Sequence, residues 1–139
     1  MSKITYNADL LKIMSLFEKI TRTRIKDCFI DNNDLMTFVV PDFQIGKAVG
    51  KNAVNVKKLE NLLKRKIKIV AFNPSVVQFV KNLIYPVKAK VDEQNNIITI
   101  KANDTKSRAF LIGRNKINLK NNLKITKKYF KQIEDIKVT

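Results

Sequence analysis

Val49-Gly50-Lys51-Asn52-Ala53-Val54-Asn55-Val56-Lys57 returns later in the chain as Ile112-Gly113-Arg114-Asn115-Lys116-Ile117-Asn118-Leu119-Lys120. The two glycines stand 63 residues apart. Four of the nine aligned positions are identical, and four more exchange a residue for another of its chemical type. Only Ala53 against Lys116 breaks the match. The whole chain has three glycines, Gly46, Gly50 and Gly113, so each is expected where the backbone needs it. Glycine admits a positive φ and lets another molecule come close to the main chain. A cation beside such a glycine, just ahead of a helix, suits a phosphate. Two such loops in one small chain point to a polymer of phosphates.

Outward from the loops, the same string of elements reads twice. Leu10, Ile13, Met14, Phe17 and Ile20 share one helical face, with Asn7 as the expected cap. Residues 24–30 and 35–40 read as strands around Asn32-Asn33-Asp34, and Met36, Phe38 and Val40 alternate with Thr37 and Val39. A short helical turn near 43–49 leads into the first loop. A longer helix then runs to about Arg65, with Val56, Leu59, Leu62 and Leu63 inward, and Ile67 to Phe72 follows as a strand. In the second half, Asn73-Pro74-Ser75 predicts a helix start with an asparagine cap and proline at the first helical position. Val76, Phe79, Val80 and Leu83 form its inner face, and Pro86 stops it. Val87, Ala89 and Val91 pair as a hairpin with Ile98 and Ile100 around Gln94-Asn95-Asn96. A turn near 106–112, a helix over 117–131 and a strand over 133–138 complete the copy. The expected fold class is α/β (α+β): two domains, 1–73 and 74–139, each α-β-β-α-α-β with a three-stranded sheet. No flexible linker separates them, so a stiff pair is expected.

Composition narrows the chemistry. The chain has 139 residues, 45% hydrophobic, enough for real cores. With 8% aromatics and no tryptophan, an interface built mainly on aromatic stacking is not expected. The formal charge is +16, with 28 cations against 12 anions. Residues 1–73 carry 14 cations and 7 anions, and residues 74–139 carry 14 and 5. Both halves are basic, which favours nucleic acid over a globular domain with a basic tail. The plainer alternative is a solvating lysine surface. Cys28 is the single cysteine, so no intramolecular disulfide forms, and it reads as a small core residue. The absence of histidine removes histidine metal sites, histidine bases and Ser-His or Cys-His pairs. The carboxylates are scattered without metal-ligand spacing, so no metal, no cofactor and no enzymatic activity is expected. No apolar run approaches the ~20 residues that span a bilayer. The N-terminus lacks a signal-peptide stretch. A soluble, cytoplasmic, monomeric protein is expected, with no membrane partner.

Within each loop the residue types divide the work. Gly50 and Gly113 would let the backbone approach a phosphate. Lys51 and Arg114 add mobile cations, and Asn52 and Asn115 can donate to phosphate or sugar. The helix beginning after each loop offers free amides and a positive dipole end. Val49, Val56, Ile112 and Leu119 are expected to line a groove for bases. Ala53 and Lys116 close the loops, and the repeated Asn55, Asn118 and Lys120 belong to the same set. Lys47, Lys57 and Lys58 flank the first loop; each alone also fits a solvated surface. The cluster Lys124, Lys127, Lys128 and Lys131 fits a helix face or a phosphate track. Gly46 reads as a packing or turn residue.

A helical turn, a glycine loop and a helix behind a hairpin resemble the core of a KH module, which clamps about four nucleotides of single-stranded backbone. More specifically, the run Val39-Val40-Pro41-Asp42-Phe43-Gln44-Ile45-Gly46-Lys47-Ala48-Val49-Gly50-Lys51-Asn52, with Asn55-Val56-Lys57-Lys58-Leu59-Glu60, is similar to the archaeal form of the NusA transcription factors. So are Ile112-Gly113-Arg114-Asn115 and Ile117-Asn118-Leu119-Lys120, and near the N-terminus Leu16-Phe17-Glu18 and Arg24-Ile25-Lys26-Asp27-Cys28. The resemblance implies two tandem type II KH domains, single-stranded RNA of the nascent transcript bound across both, and a role in transcription termination or antitermination. RNA polymerase is the second partner it suggests. Bacterial relatives add a polymerase-contact region and an S1 module, for which this chain has no room. The family usually closes each loop with glycine, where Ala53 and Lys116 stand here. Alanine is a mild change on a negative φ, whereas Lys116 obstructs close approach with its Cβ and supplies a cation. The alternative of another class is a ribosome-associated or structural RNA-binding KH protein.

Overall fold

The computed structural model describes residues 8–139, so the expected cap Asn7 lies outside the described residues. The chain divides into two compact units, one ending at Phe72 and one spanning Asn73–Thr139. In the first, α1 (Ala8–Thr21) precedes β1 (Asp27–Ile30) and β2 (Met36–Pro41). A 3-10 turn (Asp42–Gln44) and α2 (Ile45–Val49) lead into the loop, and α3 (Val54–Leu63) and β3 (Ile67–Phe72) follow. The sheet order is β1-β2-β3, antiparallel then parallel, with Phe38 between Cys28 and Ile69. A parallel return needs a crossover, and here it is α2, the loop and α3. The sheet therefore fixes both ends of the segment that carries the motif.

One face of this sheet, with Cys28, Met36, Phe38, Val40 and Ile67, packs on Leu10 and Phe17 of α1, Ala48 of α2 and Leu59 of α3. Phe17 and Phe38 stack with ring centres 4.4 Å apart and planes 17° apart. Two expectations need correction here. Thr37 and Val39 are buried like their neighbours, because β2 is the central strand and its second face, with Phe29 and Val70, is buried too. Central strands covered on both faces lose the alternation of a half-exposed strand. Leu62 is 56% exposed rather than inward. At about 100° per residue it lies roughly a quarter turn from the Val56–Leu59–Leu63 stripe.

The second unit holds α4 (Val76–Ile84), β4 (Ala89–Gln94), β5 (Ile97–Ala102), α5 (Thr105–Ile112), α6 (Ile117–Tyr129) and β6 (Asp135–Val138). Its sheet repeats the order, with β4–β5 antiparallel and β5–β6 parallel. Asn95 and Asn96, at φ 54° and 65°, make the two-residue turn that suits the right-handed twist of a hairpin. Phe79 anchors the core, its ring centre 5.5 Å from those of Tyr129 and Phe130. The cap of α4 is Ser75, whose Oγ accepts from Gln78 N–H at 3.4 Å, and not Asn73. Asn73 Oδ1 instead accepts from Ser75 N–H at 2.8 Å, an Asx turn that leaves Pro74 ahead of the helix. The expected turn at 106–112 is a capped helix, because Asp104 Oδ1 accepts from Ser107 N–H at 2.6 Å. Those hydrogen bonds hold the Asp104 carboxyl below the usual carboxylate range.

Cys28 is fully buried in β1, and burial, followed by the charge of Asp27, pushes its thiol up from 9.0 to about 12. Below pH 9 the thiol is neutral in both folded and unfolded chains and nothing is lost. Between pH 9 and 12 the unfolded chain ionises and the folded one does not, so stability falls by up to about 1.4 kcal/mol per pH unit. Denaturant melts of Cys28→Ala and the native chain from pH 8 to 10.5 are expected to diverge, the native chain losing stability faster. Parallel curves would show that the folded thiol ionises as readily as the unfolded one.

Candidate nucleic-acid interface

Both glycines end a short helix and turn the chain. Gly50, at φ 79° and ψ 165°, donates its N–H to Gly46 O at 2.9 Å and closes α2. Gly113, at φ 75° and ψ 170°, donates to Ala109 O at 2.8 Å and closes α5. A 3-10 turn follows in each loop, with Ala53 N–H on Gly50 O and Lys116 N–H on Gly113 O, both at 3.1 Å. Asn52 and Asn115 are left-handed at φ 56° and 54°, and so are Ala53 and Lys116 at φ 59° and 62°. The two loops thus have one backbone conformation. Ala53 is not the mild change expected on a negative φ. Alanine and lysine both sit where glycine is easiest, at a cost of about 1–2 kcal/mol for a side-chain-bearing residue.

A second shared feature holds each loop. Asn55 Nδ2 donates to Lys47 O at 3.1 Å, and Asn118 Nδ2 donates to Phe110 O at 2.7 Å. Each asparagine of the following helix thereby reaches across the loop to a carbonyl in the last turn of the preceding one, where helical carbonyls lack partners. The repeat places Asn55 and Asn118 among the binding residues; in the structure these amides fasten the loop. They also explain the glycines. A Cβ on Gly50 would stand 2.9 Å from Val54 Cγ1 and 3.0 Å from Asn55 Nδ2. A Cβ on Gly113 would stand 2.9 Å from both the Asn118 side chain and its backbone nitrogen. The close approach that demands glycine is therefore internal. Gly46 is neither packed nor in a turn: it lies in α2, and a Cβ there would meet nothing within 4 Å.

The latch leaves the loop tips to solvent. Lys51, Asn52, Arg114, Asn115 and Lys116 are exposed, as are Lys47, Lys57, Lys58 and Lys120. Val49, Gly50, Ala53, Ile112 and Gly113 are half-buried, and Val56 and Leu119 are too. Val56 turns toward the core of its unit rather than only to a groove. Lys124, Lys127, Lys128 and Lys131 are all exposed. Sequence reasoning passes over Val54 and Ile117, which open α3 and α6 and stay 51% and 40% exposed. The signal is there, since both loops place a β-branched residue at that point. No side chain caps α3 or α6, whereas Ser75 and Asp104 cap α4 and α5. The N–H groups of Ala53 and Val54, and of Lys116 and Ile117, donate to carbonyls inside each 3-10 turn, and the first turn of α3 and α6 that follows presents the positive end of the helix dipole. Among the described residues, no group of three or more His, Cys, Asp or Glu could hold a metal ion.

A mixed three-stranded sheet whose parallel crossover carries such a loop defines a nucleic-acid-binding module of the KH class. The family model described as "KH domain" matches residues 12–81, which contain the first loop. The chain is 30% identical over 143 residues to the "Probable transcription termination protein NusA" of Methanocaldococcus jannaschii, covering 99% of this chain and 76% of that protein. It is 22% identical to the protein of that name from Halococcus morrhuae, covering 98% of this chain and 99% of the other. Among solved structures it is similar to the crystal structure of APE1850, with a TM-score of 0.72 and 27% identity, over 98% of this chain and 100% of that one. The chain belongs to the KH domain proteins and, within them, to the archaeal NusA-like family.

The geometry separates the two glycines. Both substitutions meet a φ that side chains rarely adopt; Gly113→Ala also drives its Cβ against the Asn118 backbone nitrogen, whereas the atoms nearest a Cβ on Gly50 belong to the Val54 and Asn55 side chains. Denaturant melts are expected to show the larger loss for Gly113→Ala. Lys116→Gly is expected to gain about 0.5–1 kcal/mol, since relief of the left-handed strain exceeds the entropy of the new glycine. A loss of stability in Lys116→Gly would mean that the lysine side chain holds the loop by contacts stronger than that strain.

Proposed function

We propose that this protein binds single-stranded RNA through both loops, without catalysis, and acts on nascent transcripts in termination or antitermination. The observation that carries the reading is the doubled loop. Two units place the same left-handed turn, the same asparagine latch and the same uncapped helix start beside exposed cations. Phosphates would meet the loop amides with Lys51 in the first unit, and with Arg114 and Lys116 in the second. Asn52 and Asn115 would donate to phosphate or sugar. Val49 and Val54, with Ile112 and Ile117, would give bases an apolar wall. Lys47, Lys57, Lys58 and Lys120 would add diffuse attraction.

The role in transcription draws on the relatives, whose names are those of termination proteins. The ribosome-associated reading has no such support. RNA polymerase contact and a monomeric state belong to the same reading, and light scattering with polymerase pull-down tests both. None of the described helices is long and apolar enough to cross a membrane.

Lys51→Glu combined with Arg114→Glu is the direct test, because both side chains are exposed and the fold does not depend on them. Affinity for an unstructured RNA is expected to fall at least tenfold, with circular dichroism unchanged. A duplex of equal length is expected to bind more weakly than the single strand. The log-log salt slope should be near −0.7 for each phosphate neutralised, with about 4–6 engaged, and should flatten in the double variant. Unchanged affinity in that variant, or preference for the duplex, would remove the loops from the binding surface. Addition of the protein to a polymerase elongating on a terminator template is expected to change the read-through fraction.

A further inference from the structure

The second unit carries a cleft outside its loop. It has a volume of about 290 Å³ and lies between the end of α4 and the start of β4, lined by Gln78, Lys81, Asn82, Tyr85, Val87 and Lys88 among others. Tyr85 is 71% exposed. Lys81 lies in the last turn of α4, Tyr85 is the extended residue that ends it, and both line the cleft. Lys88 stands on the other wall. No carboxylate lines the cleft. Gln78 Nε2 donates to Asn82 Oδ1 at 2.9 Å, which sets two side-chain amides side by side in the lining. Asn103 Nδ2 donates to Lys88 O at 2.9 Å and fixes the backbone of the far wall.

The first unit holds a different set of residues at the corresponding positions. Counting back by the 63-residue spacing of the loops, Glu18 corresponds to Lys81 and Ile25 to Lys88. Glu18 Oε2 accepts from Ile25 N–H at 2.8 Å, so an acid ties the helix to the strand segment. Arg22 stands at the position of Tyr85. In the second unit the tying acid is replaced by a cation, the partner position is a second cation, and Tyr85 joins them in the lining. An opposite charge at the same spot reverses what the notch can accept.

We propose that this cleft binds one nucleotide of the RNA strand, as a contact additional to the Gly113 loop; the inference rests on the RNA-binding reading above. The base stacks on the Tyr85 ring, Lys81 and Lys88 pair with the flanking phosphates, and the Gln78 and Asn82 amides face the base edge. Stacking on an aromatic ring tolerates any base. The volume is at the low end of ligand clefts, which run from about 300 Å³ upward, and fits a single base rather than a folded ligand.

The test uses the full chain with single-stranded RNA carrying 4-thiouridine at successive positions. After irradiation, a crosslinked peptide containing Tyr85 is expected beside peptides from the Lys51 and Arg114 loops. Tyr85→Leu is expected to weaken RNA binding about fivefold or more, the range of a lost base–aromatic stack. Tyr85→Phe keeps the ring and should bind as the native chain does. Lys81→Glu restores the acid of the first unit and should also weaken binding. Both positions are exposed, so thermal melts should be unchanged. Loop crosslinks with native affinity in both Tyr85→Leu and Lys81→Glu would overturn the cleft and leave the loop reading standing. No RNA binding by the native chain at moderate salt would overturn both together.

Discussion

The fold depends on a backbone that must turn left-handed between two helices while both stay attached to a sheet. In each unit the crossover between parallel strands is interrupted by a glycine with φ near 75–79°, followed by two left-handed residues. Nothing in helical propensity favours this; isolated left-handed positions with side chains are strained. The conformation persists because its surroundings over-determine it. A buried strand fixes each end, Ala48 or Leu111 pins the short helix into the core, and the asparagine latch closes the gap. Strain held in this way by core and latch marks a segment shaped for something other than stability. The helix start beside it has no side-chain cap in either unit.

The latch also sets what glycine is for. A glycine in a phosphate-facing loop invites the explanation that ligand backbone must come close. Here the first atoms that a side chain on either glycine would meet belong to Asn55, Val54 and Asn118. The glycine lets the asparagine lie across the loop, and that arrangement turns the loop tip outward. Exposed cations at Lys51, Arg114 and Lys116 follow from this geometry, with no acid in either loop to neutralise them.

Most of the architecture was legible in the sequence because its periodicities are strong. The helices of Phe17, Leu59 and Phe79, and the hairpin at Asn95-Asn96, follow from spacing and turn chemistry alone. The loops were legible through repetition. What escaped was decided by tertiary context. Thr37 and Val39 look half-exposed by alternation, yet a central strand is buried on both faces. Asn73 looks like a cap because Pro74 follows it, but Ser75 is the residue with extended dihedrals ahead of α4. Asn55 and Asn118 look like ligand contacts because they repeat. Repetition signals a shared constraint, and it does not say whether that constraint is on binding or on the loop itself. The left-handed φ of Ala53 and Lys116 carries no local signal, since neither residue favours it.

The match of the two backbones bears on whether the clamps are equal. On sequence grounds the second loop looks obstructed, because Lys116 carries a Cβ where the family has glycine. The dihedrals of Ala53 and Lys116 agree within a few degrees, so both project a Cβ in the same direction from the same turn. Any steric obstruction from that atom is common to the two loops and cannot rank them. What differs is charge and its placement. The second loop concentrates cations at the tip, in Arg114 and Lys116, and has exposed apolar surface at Phe110 on the helix before it. The first has Lys51 at the tip and Lys47 where the second has Phe110. Tip cations act at contact range, whereas Lys47 on the preceding helix adds attraction that salt screens more fully. The two loops thus share a backbone and differ in charge: the second holds two exposed cations at its tip, and the first holds one, with Lys47 on the helix before it.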